Sequence, residues 1–113
     1  MGRKAIPRQE WIVYRKDLSG AEVCCLTFEG LSRFSRLPVS AIRQMAERGW
    51  ITPLSEKPPL FYQEAVRRVA QIERLRRQLR LDLDSLEVVL HLLDRMEEMD
   101  REIASLRREF GFR

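Results

Sequence analysis

Few residues in this chain could do chemistry, and their spacing limits what they can do. His91 is the only histidine. No second histidine or cysteine stands at ligand spacing from it, so it supports neither a zinc site nor a nucleophile–base pair. Cys24 and Cys25 are adjacent, and a bond between neighbours closes a strained eight-membered ring. Reduced, partly buried thiols are therefore expected, in keeping with a cytoplasmic protein. Gly20, Gly30 and Gly49 stand isolated, so no glycine-rich phosphate loop is present. Asp82, Asp84, Asp94, Glu97, Glu98 and Asp100 are numerous, but no pattern implies a cleft that would desolvate them for acid–base work. The expectation is a protein that is not an enzyme, with no metal, no cofactor and no evident small-molecule substrate.

Charge is the stronger signal. Residues 1–80 hold 16 Lys/Arg against 8 Asp/Glu, a balance of +8, whereas residues 81–113 hold 5 against 9, a balance of −4. Two halves of opposite sign call for different partners. "RRVAQIERLRRQLR" places six arginines in fourteen residues, a density able to neutralise phosphates. Glu64 and Glu73 stand three and four residues before Arg67, Arg68, Arg76 and Arg77, the spacing of ion pairs within a helix. Both readings of the cluster stay open.

The elements that position these residues follow from periodicity. "EWIVY" and "AEVCCL" are β-prone and flank the turn-forming "RKDLSG", which predicts a small hairpin over Trp11 to Leu26. "TFEGLSRFSRLP" places Phe28, Leu31 and Phe34 or Ser35 on one helical face, with Thr27 as N-cap and Pro38 past the end. "LPVSAIRQMAERGWITP" follows, with Val39, Ile42, Met45 and Ala46 at helical spacing and Gly49 as a left-handed exit. Two short helices joined by a tight turn make a helix-turn-helix. "TPLSEKPPLFY" reads as a loop or a short wing.

A third helix is expected from Tyr62 to Arg80, with Ala65, Val66, Val69, Ile72, Leu75 and Leu79 as its apolar stripe and Gln63, Arg67, Arg74 and Arg77 outward. Asp84 or Asp82 can cap the last helix, and Asp84 with Glu87 has capping-box spacing. That helix should run from about Ser85 to about Phe110. Val89, Leu92, Met96, Met99, Ile103, Leu106 and Phe110 step by three and four along it, an a/d seam. A long apolar seam on an acidic helix predicts a homodimer, parallel or antiparallel; the alternative is that the helix folds back on its own domain.

With 113 residues, 44% hydrophobic and 34% charged, the chain suits a single module with a core and a heavily charged surface. It has no run of eighteen uncharged apolar residues, and "MGRKAIPRQEW" turns polar before a signal peptide could develop. A soluble cytoplasmic protein, free or nucleoid-associated, with no membrane partner, is expected.

The order of these parts resembles the MerR-type winged helix-turn-helix superfamily. Within it, "LRLDLDSLEVVLHLLDRM" and the long helix that follows resemble the chaperone-modulator (CbpM-type) family. The resemblance implies a mainly α fold: a short N-terminal β-hairpin, a MerR-like winged helix-turn-helix and a long C-terminal dimerisation helix. The expected division is a flexible N-terminus at 1–10, the hairpin and winged domain at 11–81, and a coiled-coil dimerisation helix at 82–113.

MerR-type DNA binders carry an Arg-Tyr-Tyr-Glu run before the glycine of the second helix. Here Arg43 keeps the arginine, but Gln44, Met45 and Ala46 replace the rest. Leu60 and Phe61 precede Tyr62 where a phosphate-contacting arginine is expected. Losing phosphate contacts lowers the affinity on which sequence readout depends. The resemblance implies instead binding to the J-domain of a DnaJ/CbpA-type co-chaperone, blocking its stimulation of an Hsp70-type partner. A basic J-domain helix needs an acidic surface around an apolar patch. Asp82, Asp84, Glu87 and Asp94 are the candidate ionic contacts, with Leu83, Leu86 and His91 beside them. The alternative is a MerR-family transcription regulator binding DNA through Arg43, Arg48, Lys57, Arg67 and Arg68.

Overall fold

The computed structural model describes residues 11–111. The expected flexible N-terminus at 1–10 lies outside the described residues. The chain divides into two compact units, Met1–Arg74 and Leu75–Arg113, so the division falls within the third helix.

In the first unit, Ile12, Val13 and Tyr14 begin β1 (Ile12–Lys16), which pairs antiparallel with β2 (Glu22–Leu26). The expected hairpin forms. Its turn is organised by Asp17, whose carboxylate accepts from the Ser19 amide at 2.8 Å, the Ser19 hydroxyl at 2.6 Å and the Ala21 amide at 3.1 Å. Those bonds, led by the Ser19 hydroxyl, hold the Asp17 carboxyl below its ordinary range.

Thr27 then caps α1 (Phe28–Ser35), its hydroxyl accepting from the Gly30 amide at 3.1 Å. The same hydroxyl donates to the Trp11 carbonyl at 3.4 Å, tying helix start to hairpin start. Of the two residues considered for the inner face, Ser35 is half-buried and Phe34 is exposed. Gly30 is buried because the Trp11 carbonyl occupies the space a Cβ would need. Thr27→Ala is expected to cost about 1 kcal/mol, read as a lower thermal midpoint.

Arg36 ends α1 in a left-handed conformation, φ 58°, and the chain turns into α2 (Val39–Glu47). Ile42 and Met45 are buried and Val39 and Ala46 half-buried, the predicted inner face. Gly49, at φ 75°, sends the chain out of the helix, with the Trp50 amide donating to the Met45 carbonyl at 2.9 Å. A side chain there would be strained. Trp50 and Ile51 are buried immediately after.

The proline-rich stretch, read as a loop or a short wing, forms a hairpin of β3 (Ser55–Glu56) and β4 (Pro59–Tyr62). β4 also pairs with β2, matching Cys25 to Tyr62 and Leu26 to Phe61. The two hairpins therefore make one sheet, in the order β1-β2-β4-β3, which periodicity did not reveal. Phe61 is fully buried and its ring lies 5.2 Å from that of Phe28, joining the sheet to α1.

Because Tyr62 belongs to β4, α3 (Glu64–Leu79) starts two residues later than predicted. Val69 and Ile72 are its buried residues, Ala65, Val66 and Leu75 are half-buried, and Leu79 is exposed, against the expected stripe. Gln63, Arg67, Arg74 and Arg77 are exposed as expected.

In the second unit, α4 (Leu83–Glu109) begins two residues before the predicted Ser85. Its cap is Asp82 rather than Asp84: the Asp82 carboxylate accepts from the Ser85 amide at 2.7 Å, the capping distance in sequence, and leaves Asp84 in the first turn. Leu86 and Leu90 are buried. Among the described residues no helix is long and apolar enough to cross a membrane.

Candidate functional site

Two surfaces hold the residues singled out by sequence, one on each unit. On the first, the outward side of α2 carries Ser40, Arg43, Gln44 and Glu47. Arg43 lies over the Phe28 ring at 4.8 Å, and Glu47, one turn on, carries the opposite formal charge. This face is close to neutral, which gives little attraction for a phosphate backbone.

The other basic candidates have different surroundings. Arg48 is half-buried over the Trp50 ring at 5.5 Å. Arg68 donates from Nε to the Trp50 carbonyl at 3.0 Å and from Nη1 to Gln71 Oε1 at 3.3 Å. Arg48 and Arg68 thus converge on Trp50, at the exit from α2. Arg68 holds α3 to that exit, a structural task that its place in an arginine-rich run did not suggest. Lys57, between β3 and β4, and Arg67, on α3, are exposed.

Cys24 and Cys25 occupy successive positions of a strand, so their side chains point to opposite faces of the sheet. Cys24 is half-buried and Cys25 buried, both free thiols. Burial, with Cys24 alongside, raises the Cys25 thiol above its ordinary range, so it stays protonated at neutral pH. Among the described residues no group of three His, Cys, Asp or Glu side chains is placed to hold a metal ion.

The comparison with family models matches residues 26–108 to the MerR HTH family regulatory protein model. That span runs from the last residue of β2 through almost all of α4. The chain belongs to the MerR HTH regulatory family. The matched span holds α1 and α2, two short helices joined by a tight turn, and β1 with most of β2 precedes it. No curated protein matches the chain.

The second surface is α4, and its sides differ in chemistry. Asp84, Glu87, His91 and Asp94 follow steps of three, four and three, one row along the helix. Asp84, Glu87 and His91 are exposed and Asp94 is half-buried. Leu83 and Val89 are half-buried, whereas Leu86 and Leu90 are buried on a second side. Asp82 stands outside the row, with the Ser85 amide and hydroxyl holding its carboxyl below the ordinary range. It is placed to start the helix, and its capping contribution is present at neutral pH and lost as acid protonates it.

The apolar seam makes a third side. Leu92, Met96, Met99, Ile103, Leu106 and Phe110 are all exposed in the single chain, between 47% and 66%. At 100° per residue the seam's centre lies about 130° around the helix from the acidic row. The two surfaces could therefore be used at the same time. Arg95 donates to Glu98 at 3.0 Å on the exposed helix, a pairing that adds little stability.

Proposed function

We propose that this chain is a non-catalytic regulator that acts by binding another protein: the J-domain of a DnaJ/CbpA-type co-chaperone, whose stimulation of an Hsp70-type partner it blocks. The observation that carries this reading is the row of Asp84, Glu87, His91 and Asp94 on α4, acidic and set apart from the apolar seam. A basic helix laid along that row meets three carboxylates, with Leu83 at its edge. Asp82 supports the surface by capping the helix on which the row stands.

In this reading the chain is a homodimer. The seam from Val89 to Phe110 is the pairing surface, and dimerisation presents two acidic rows. The β3–β4 hairpin is the wing of a winged helix-turn-helix retained as scaffold. The near-neutral outer face of α2 supports a reduced role in DNA binding.

Asp84→Lys tests the proposal. Titration calorimetry of the full chain with a cognate J-domain is expected to give a salt-sensitive complex that this substitution weakens at least about tenfold, through charge repulsion in place of attraction. A wild-type chain that shows no association with the J-domain would sink the reading.

A second reading is favoured by the family match itself: a transcription regulator that binds duplex DNA. It requires Arg43, Lys57 and Arg67, the exposed basic candidates, to contact phosphates, with Arg48 and Arg68 supporting them. Arg43→Ala with Arg67→Ala should then weaken duplex binding and flatten its salt dependence. An unchanged salt slope removes that contact model.

A further inference from the structure

A hollow of about 340 Å3 opens in the first unit between the two hairpins. Its floor is Leu60, fully buried, and its walls carry Leu54 and Tyr62, each 38% exposed. Leu18, at the tip of the first hairpin, stands beside it fully exposed. Three large apolar side chains left in water around one concavity are costly to keep solvated, and such patches mark interaction sites.

The polar side of the hollow is net cationic, Arg15 and Lys16 outweighing the Asp17 carboxylate that also borders it. Register places Arg15 on the same sheet face as Tyr62 and Leu60, because Cys25 pairs with both Val13 and Tyr62 and side chains alternate along each strand. Lys16 follows at the end of β1. Among the described residues neither Arg15 nor Lys16 has an ion-pair partner. The Asp17 carboxylate already accepts three hydrogen bonds within its own turn.

We propose that this hollow is a docking site for an acidic peptide segment of a partner protein, with an apolar residue seated over Leu60 and flanking carboxylates against Arg15 and Lys16. The volume is at the small end of the range for ligand pockets, enough for about one or two side chains. A concave seat with two cations suits a protruding residue with acidic neighbours. A flat anionic membrane needs a protruding face, and a nucleic acid needs a longer cationic track. Its basic wall comes from β1, which precedes the matched span, and its apolar floor and wall come from Leu54, Leu60 and Tyr62 within it. It involves neither the acidic row of α4 nor the outer face of α2, and it stands or falls apart from the J-domain reading.

The test is fluorescence anisotropy of the full chain with a fluorescein-labelled Glu-Asp-Leu-Asp-Glu-Phe-Asp-Glu peptide, beside a control with lysine at every acidic position. The acidic peptide is expected to bind and the lysine peptide not. R15E/K16E should weaken binding at least about tenfold, and the neutral R15Q/K16Q should show a smaller loss with an unchanged thermal midpoint. Leu18→Ser should weaken it further without altering the fold. Equal binding of both peptides, or full binding by R15E/K16E, overturns the proposal. So does a flat peptide titration accompanied by Arg15- and Lys16-dependent binding to phosphatidylserine vesicles, or by Arg15- and Lys16-dependent self-association.

Discussion

Glutamate at both Met99 and Ile103 is expected to turn a dimer of this chain into monomers, raising the dissociation constant by at least about 100-fold. The two positions are neighbours on the seam of α4 and are 48% and 47% exposed in the single chain. A carboxylate there meets water in the monomer, so the helix and the first unit keep their structure. In a dimer paired through the seam, four carboxylates would enter an apolar interface without partners. Each such burial costs several kcal/mol, and every 1.4 kcal/mol is tenfold in affinity. Sedimentation equilibrium reads the result directly, with circular dichroism to show retained helix. A wild-type chain that sediments as a monomer, or a doubly substituted chain that remains dimeric, rejects the seam as the pairing surface.

Phe61→Ala is expected to cost the first unit about 3–5 kcal/mol, the range for emptying a buried aromatic site. Phe61 is fully buried on β4, pairs through its backbone with Leu26 of β2, and packs with its ring tilted 57° to that of Phe28 of α1. Removing the ring leaves a void where the sheet meets α1, and the backbone on both sides limits collapse. Typical domains hold only about 5–15 kcal/mol in total. The loss should lower the thermal midpoint by more than about 12 °C for a unit of this size. Phe34→Ala supplies the contrast. That side chain is 47% exposed, and its removal should cost under about 1 kcal/mol. Similar losses for both substitutions would mean that Phe61 does not join the sheet to α1 as described.

Local signals made much of the fold legible. Thr27 before an amphipathic stretch, Gly49 after one and the β-branched run at Ile12 each act within a few residues, and each produced the element expected. Aspartates near the start of α4 were harder to separate. Asp82 and Asp84 both suit a cap, and the choice depends on which backbone amide the carboxylate reaches. Phe34 and Ser35 posed the same kind of ambiguity, since adjacent residues lie only about 100° apart on a helix.

Of the candidate surfaces, the seam of α4 could be read from spacing, because a helix turns three- and four-residue steps into faces without help from the rest of the chain. The acidic contacts came instead from the resemblance and included Asp82, which stands outside the row. The task of Arg68 could not. Its density of basic neighbours suggested phosphate contact, while its guanidinium reaches a carbonyl eighteen residues away. The hollow beside Arg15 and Leu18 was hidden for the same reason.

By itself, then, the sequence determined the helices, the Thr27 cap, the first hairpin and the charge contrast between the two halves, all set by interactions within a turn or two of chain. Only the tertiary structure decided that the proline-rich stretch would pair with β2 and merge two hairpins into one sheet. Strand pairing between residues some 36 positions apart, Cys25 with Tyr62 and Leu26 with Phe61, is chosen by which side chains fill a shared core, and no local period encodes that choice.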